Sequence, residues 1–118
     1  MKLPNAERAV VDIEKLRDYS LNPHHPKGKH KARVFLEKLG LKADDAERLR
    51  KFILEAILTT EAIVQAPTKY GRRYIVDFQL GQGEGFAATL VTIRSAWIIR
   101  NDEDFPRLTT CFIPHRRF

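Results

Sequence analysis

Apolar positions recur every three or four residues through the first half of this chain and every second residue through the second half. In the first half, Ala6, Ala9, Val10, Ile13 and Leu16 give the spacing of an amphipathic helix between Ala6 and Tyr19. Asn5 stands where an N-cap would, although the β-branched pair Val10-Val11 also allows a shorter helix that opens at Asp12. Two prolines and a glycine make Asn22–Gly28 a loop. A short helix follows over His30–Leu39, with Ala32, Phe35, Leu36 and Leu39 on one face and Gly40 as its stop. Asp44-Asp45 opens another, whose buried face is Ala46, Leu49, Phe52, Ile53, Ala56 and Ile57 and which frays near Thr59-Thr60.

The period then changes. Ala62–Gln65 is a short strand and Pro67–Gly71 a turn. Arg73–Leu80 alternates cleanly, with Tyr74, Val76, Phe78 and Leu80 on one side and Arg73, Ile75, Asp77 and Gln79 on the other. Gly81–Gly85 forms a turn. Ala87–Arg100 is apolar on both faces, as in a central strand, and Leu108–Ile113 closes the series before Pro114. Short connections favour antiparallel pairing. The expectation is one α+β domain over residues 1–118. Two or three N-terminal helices (about residues 5–60) pack on an antiparallel sheet of three to four strands (about residues 61–114).

Composition narrows the classes. A chain of 118 residues with 43% apolar content suffices for one core. No apolar run reaches the roughly 18–20 residues of a membrane span, and the N-terminus lacks the apolar stretch of a signal peptide. No membrane association and a cytoplasmic location are therefore expected. The one cysteine, Cys111, falls in an apolar strand, where a buried, inert thiol is the expected role.

Charge adds more. The net value is +6, and its placement is uneven. Between His24 and Lys42 stand Lys27, Lys29, Lys31, Arg33, Lys38 and Lys42 against the single acid Glu37, together with three of the four histidines. From Arg107 onward, Arg107, Arg116 and Arg117 have no acid among them. Two basic clusters in a small domain point to a polyanionic partner, either nucleic acid or an acidic protein.

Metal and nucleotide-loop motifs are missing: there is no Cys-x-x-Cys, no His-Glu-x-x-His and no Walker loop. Gly81, Gly83 and Gly85 fit a hairpin turn better than a phosphate loop, since no helix follows them. His24, His25 and His30 sit among cations without a carboxylate in the loop, which disfavours a metal, so no metal or other cofactor is expected. The same surroundings suit a phosphate. Cleavage of RNA without metal needs proton transfer at the 2′- and 5′-oxygens and cationic donors for the phosphorane. His25 in the loop and His30 and Lys31 at the opening of a helix are candidates for that work, with Lys27, Lys29 and Arg33 as substrate-binding neighbours. Arg94 interrupts an apolar strand, and either a phosphate or a cross-strand pair with Asp77 would account for it. Ser95 and Trp97 lie on the opposite strand face from Arg94, and Thr109 and Thr110 could aim a hydroxyl at a phosphate. Ser95 and Thr109 complete the catalytic candidates, Asp77 and Trp97 the substrate-binding ones.

Three stretches carry a family resemblance: Tyr19–Phe35, with Asn22-Pro23-His24-His25-Pro26-Lys27-Gly28-Lys29-His30-Lys31 inside it; Tyr70–Asp77; and Arg94-Ser95-Ala96-Trp97 with Pro106-Arg107-Leu108-Thr109-Thr110. They resemble a small bacterial domain family of unknown function, whose members stand beside small antitoxins or at the tips of contact-dependent toxins. The order of helices and sheet also resembles the barnase/EndoU/colicin/RelE-like ribonuclease superfamily. What the resemblance implies is a metal-independent ribonuclease toxin with RNA as substrate and a small acidic antitoxin or immunity protein as partner. Its site would be drawn from His25, His30, Lys31, Arg94, Ser95 and Thr109, with acid and base unassigned among them. A non-catalytic basic module for nucleic acid or an acidic protein is the alternative, and enzyme or binder stays open on the residues alone.

Overall fold

The computed structural model describes residues 1–82 and 89–114, in an α+β arrangement with helices first and a four-stranded antiparallel sheet second. The first helix is shorter than the longer of the two expected forms. Ala6–Arg8 makes a single 3-10 turn, and the helix proper begins at Ile13, directly after Asp12. The β-branched residues decide this: Val10 stays extended, donates to the Pro106 carbonyl at 2.9 Å and accepts from Leu108 N–H at 3.0 Å. The chain thus covers part of a sheet edge instead of coiling. Helix α1 (Ile13–Lys15) runs straight into a π turn over Leu16–Ser20, in which Leu21 N–H reaches back to the Leu16 carbonyl at 2.8 Å.

Helix α2 spans Lys29–Leu39 and ends on Gly40 at φ 67, the left-handed conformation that glycine adopts without a Cβ penalty. Gly40 N–H bonds the Leu36 carbonyl and Leu41 N–H the Phe35 carbonyl, and Leu41 then turns into the core. Helix α3 (Ala46–Ala56) follows a 3-10 turn at Ala43–Asp45, where the Asp45 carboxylate accepts the Lys42 N–H at 2.9 Å. It buries Ala46, Leu49 and Ile53, with Ile57 just past its end; Phe52 and Ala56, expected on the same face, are half-buried.

The strands are β1 (Ile63–Thr68), β2 (Gly71–Gln82), β3 (Thr89–Arg100) and β4 (Arg107–Phe112), paired in that order as a meander. β1 continues through Pro67, which the sequence assigns to a turn; as an edge strand it has no need of that N–H. β2 and β3 are in unbroken register from Gly71 opposite Arg100 to Gln82 opposite Thr89. The connection over residues 83–88, which holds the rest of the expected glycine turn, lies outside the described residues, as do His115, Arg116 and Arg117.

One sheet face meets the helices. Tyr74, Val76 and Phe78 of β2, Ile93, Trp97 and Ile99 of β3, and Leu108 and Cys111 of β4 pack against Leu16, Phe35, Leu49, Ile53 and Ile57. The other face carries Thr92, Arg94, Ala96 and Ile98 of β3, all half-buried. β4 departs from simple alternation. Leu108 pairs with Trp97 and Thr110 with Ala96, so Thr109 is the extra residue of a bulge. That bulge lets Leu108 and Cys111, three residues apart, both point inward.

Candidate functional site

Two local irregularities, the π turn and the β4 bulge, bring a cluster of side chains together at the sheet edge. The π turn is anchored by Ser20, fully buried, whose hydroxyl donates to the Cys111 carbonyl at 2.9 Å. Tyr19 beside it is thereby held near β4. Gly28 packs so tightly on the Tyr19 backbone that an added Cβ would run into the Tyr19 carbonyl. The 22–28 loop is therefore pressed against Tyr19, and the His25 ring meets the Tyr19 ring edge-on at 4.7 Å and 72°.

His25 closes that loop. Its Nδ1 accepts the N–H groups of Lys27 and Gly28, each at 3.0 Å, just before α2 begins. With Nδ1 engaged as an acceptor, Nε2 is the ring nitrogen left to donate in this arrangement. His25 thus anchors the start of the helix and can offer an Nε2–H donor.

Lys31 rises from the first turn of α2 into the cluster. Its ammonium donates to Thr110 Oγ1 at 3.1 Å and, more weakly, to the Tyr19 hydroxyl at 3.4 Å. It lies 4.8 Å from the Tyr19 ring centre and 5.3 Å from that of Phe112. Lys31 is half-buried, and among the described residues no carboxylate comes within 4.0 Å of it. Its charge is felt by Cys111, whose thiol is nonetheless pushed up to about 12 by complete burial, with Lys31 pulling slightly the other way. Cys111 is an inert core thiol at neutral pH.

Phe112 joins this cluster to Arg94, its cross-strand neighbour on β3. Arg94 pairs with Asp77 directly opposite on β2 through two hydrogen bonds of 2.9 Å, from Nε and Nη2. That bond to Asp77 raises the Arg94 value above its ordinary range, with burial opposing it. The cross-strand pair, one of the two alternatives the sequence offers for Arg94, is formed with Asp77. Nη1 has no partner among the described residues.

The remaining candidates fall elsewhere. Ser95 is fully buried on the inner face, donating to the Val76 carbonyl at 2.7 Å and accepting from Trp97 Nε1 at 2.9 Å. Its hydroxyl braces the core, and Trp97, 1% exposed, lies in the core beside it. Both placements have one cause: the inner face of β3 lies under the helices. Thr109, the bulge residue, is exposed and donates to the Ala96 carbonyl at 3.1 Å, while its neighbour Thr110 faces Lys31. Lys27 is exposed on the loop, and Lys29, His30 and Arg33 line a groove with His24 on another side of α2. So His30 does not join Lys31, although the two are adjacent in sequence. Among the described residues there is no grouping of three or more His, Cys, Asp or Glu fit to hold a metal ion.

Tyr19 and Phe112 are not among the site residues expected from the sequence. Tyr19 reads as the end of a helix, and its displacement toward β4 depends on the π turn, which leaves no mark in the hydrophobic spacing. A family model matches residues 2–115 of this chain. The chain belongs to the DUF6883 family. That family is described as a domain of unknown function, and no curated protein or solved structure matches the chain. Nothing in the DUF6883 assignment links the fold to the ribonuclease superfamily, and no described helix is long and apolar enough to cross a membrane.

Proposed function

We propose that this chain is a metal-independent endoribonuclease of the bacterial toxin kind, which seats an RNA phosphate at the Lys31 ammonium. One observation carries the reading: Lys31 is held half-buried between two aromatic rings and two hydroxyls, with no carboxylate partner among the described residues. None of these neighbours neutralises the ammonium, and an anion is the ligand that would. Tyr19 and Phe112 supply ring faces for an unstacked base, the usual accompaniment of a single-strand phosphate site.

In this reading Lys31 and Thr110 hold a non-bridging phosphate oxygen, and Lys31 stabilises the charge that grows on the phosphorane. His25 adds a donor from Nε2, and Arg94 a further cationic contact from Nη1. The 2′-oxygen passes its proton to solvent water and bonds to phosphorus as the P–O5′ bond breaks, and the 5′-oxygen takes a proton from water, so the proton count is unchanged. A 2′,3′-cyclic phosphate and a 5′-hydroxyl result. Charge stabilisation carries most of the rate, because Nδ1 of His25 is engaged in holding the loop. As a toxin, the chain would be held in check by a small acidic antitoxin or immunity protein.

That engagement of His25, with the hold of Asp77 on Arg94, favours one other reading: a module that binds RNA without cleaving it. A single experiment separates the two. Single-stranded RNA is incubated with wild-type and Lys31→Met protein in EDTA, with binding and product ends both measured. Cleavage to cyclic-phosphate ends, reduced about 100- to 1000-fold in the variant, is the expected result. Binding that depends on Lys31 without cleavage gives the second reading, and neither binding nor cleavage by the wild type overturns both.

A further inference from the structure

A groove of about 760 Å³ lies along the part of α2 that carries Lys29, His30, Arg33 and Leu36, and residues 21–24 and 41–44 close its sides. The floor is aliphatic. Leu21, Ala32 and Leu41 are buried there, while Leu36 in the middle of the helix stays 47% exposed. The rim is cationic. Lys29, Arg33 and Lys42 line it with His24 and His30, and among the described residues Asp44 is the one carboxylate lining it. Arg33 has only a loose contact of 3.8 Å to the exposed Glu37.

We infer that this groove docks an acidic amphipathic segment of a partner protein, with its apolar side on Leu36 and its carboxylates on the rim. Two features choose that occupant. The sign of the rim requires an anionic ligand, since three cationic side chains face one carboxylate at close quarters. The floor then selects protein over nucleic acid. It offers Leu21, Ala32, Leu36 and Leu41 and, among the described residues, no Phe, Tyr or Trp, whereas bases bind by stacking on such rings. An exposed leucine between cationic neighbours matches the pattern of a helix lying in a groove, apolar anchors inward and charges at the edge. The chain thus divides its basic surface: the aromatic Lys31 site on one side of α2 for a phosphate, the aliphatic groove on another side for a protein. The consequence that the partner acts as an inhibitor rests on the proposed function. The groove shares Asn22, Pro23 and His24 with the loop that holds His25, so a docked segment would press on the loop beside Lys31.

The test is a titration of the isotopically labelled full chain followed by amide shifts. The probe is a synthetic helical peptide with leucines every third or fourth residue and glutamates elsewhere. The controls are the same peptide with lysines for glutamates, an isomer with its leucines dispersed, and an oligouridylate. Saturable binding of the acidic amphipathic peptide, with shifts at residues 21–24, 29–36 and 41–44, is expected. Leu36→Glu and Arg33→Glu, both at exposed helical positions, should each weaken it about tenfold or more. Equal binding of the dispersed or basic peptide, shifts elsewhere, or no binding would overturn the inference. Oligouridylate binding that Leu36→Glu removes would overturn it in favour of nucleic acid. Lys31→Met should spare the peptide while removing the oligouridylate. A failure of the groove is thereby told apart from a failure of the phosphate site.

Discussion

Ser95 stands at the centre of a small buried network, with one donor and one acceptor served by one hydroxyl. Ser95→Ala would leave Trp97 Nε1–H and the Val76 carbonyl short of a partner within the core. The expected cost is about 1–3 kcal/mol of stability, read by denaturant unfolding, with RNA cleavage per folded molecule unchanged. A variant that melts normally and has lost activity would return Ser95 to the site. Gly28 is the reverse case, a residue whose lack of a side chain makes the site. Gly28→Ala meets the Tyr19 carbonyl, so the loop must lift and His25 must leave the Tyr19 ring. Phosphate-site function should fall in step with the loss of that contact, visible as a shift of the His25 ring protons. Wild-type activity in Gly28→Ala would show that the loop's position is immaterial. At this scale the sequence is a partial guide. Lys31 and His25 stand out because a Pro- and Gly-punctuated basic loop is a conspicuous place for them. Ser95 and Trp97 read as ambiguous because alternation tells which residues share a face and not which face the helices cover.

The elements themselves were largely written in the hydrophobic period. Tyr74, Val76 and Phe78 alternate as an inner face should, and Leu49, Ile53 and Ile57 recur as a helix should. Gly40 is the clearest punctuation, ending α2 at φ 67 with open space around its Cα. Gly40→Ala forces an alanine into the left-handed region and should cost about 1 kcal/mol, read as a lower denaturant midpoint with an unchanged slope. No loss would mean that the helix can end otherwise. What stayed hidden were the departures from regularity. A π turn adds one residue to a helix and a bulge adds one to a strand, and either changes which neighbour a side chain meets without changing the residue types around it. The site is built from both, through Tyr19 on the first and Thr110 and Phe112 beyond the second. Its positions in the chain were therefore legible only in part, although the fold was legible almost throughout.

The molecule as a whole carries its charge unevenly, and two solution properties follow. Several carboxylates are held below their ordinary range by hydrogen bonds: Glu103 from Arg107, Asp104 from Arg8, Asp18 from Arg17, and Glu61 from the N-terminal ammonium. A depressed folded value means that the unfolded chain takes up protons first as pH falls. Their contribution is complete at neutral pH and is lost as pH drops through the folded values, below the ordinary 4.5 of glutamate and 3.8 of aspartate. The melting temperature should hold steady from neutral pH to about pH 5 and fall beneath about pH 4, less steeply in high salt because these pairs lie at the surface. A melting temperature that rises on acidification would contradict this. RNA affinity should also fall steeply with salt, as cations displaced from the RNA backbone return. The proposed function turns on Lys31. The most direct measurement pairs thermal melting with RNA binding and cleavage in EDTA, for the wild type, Lys31→Met and the exposed control Lys51→Ala. Methionine fills the slot between Tyr19 and Phe112 without a charge, so the fold should persist with its melting temperature unchanged or higher. RNA binding and cleavage should collapse in Lys31→Met and survive in Lys51→Ala, whereas full cleavage by folded Lys31→Met protein would contradict the account.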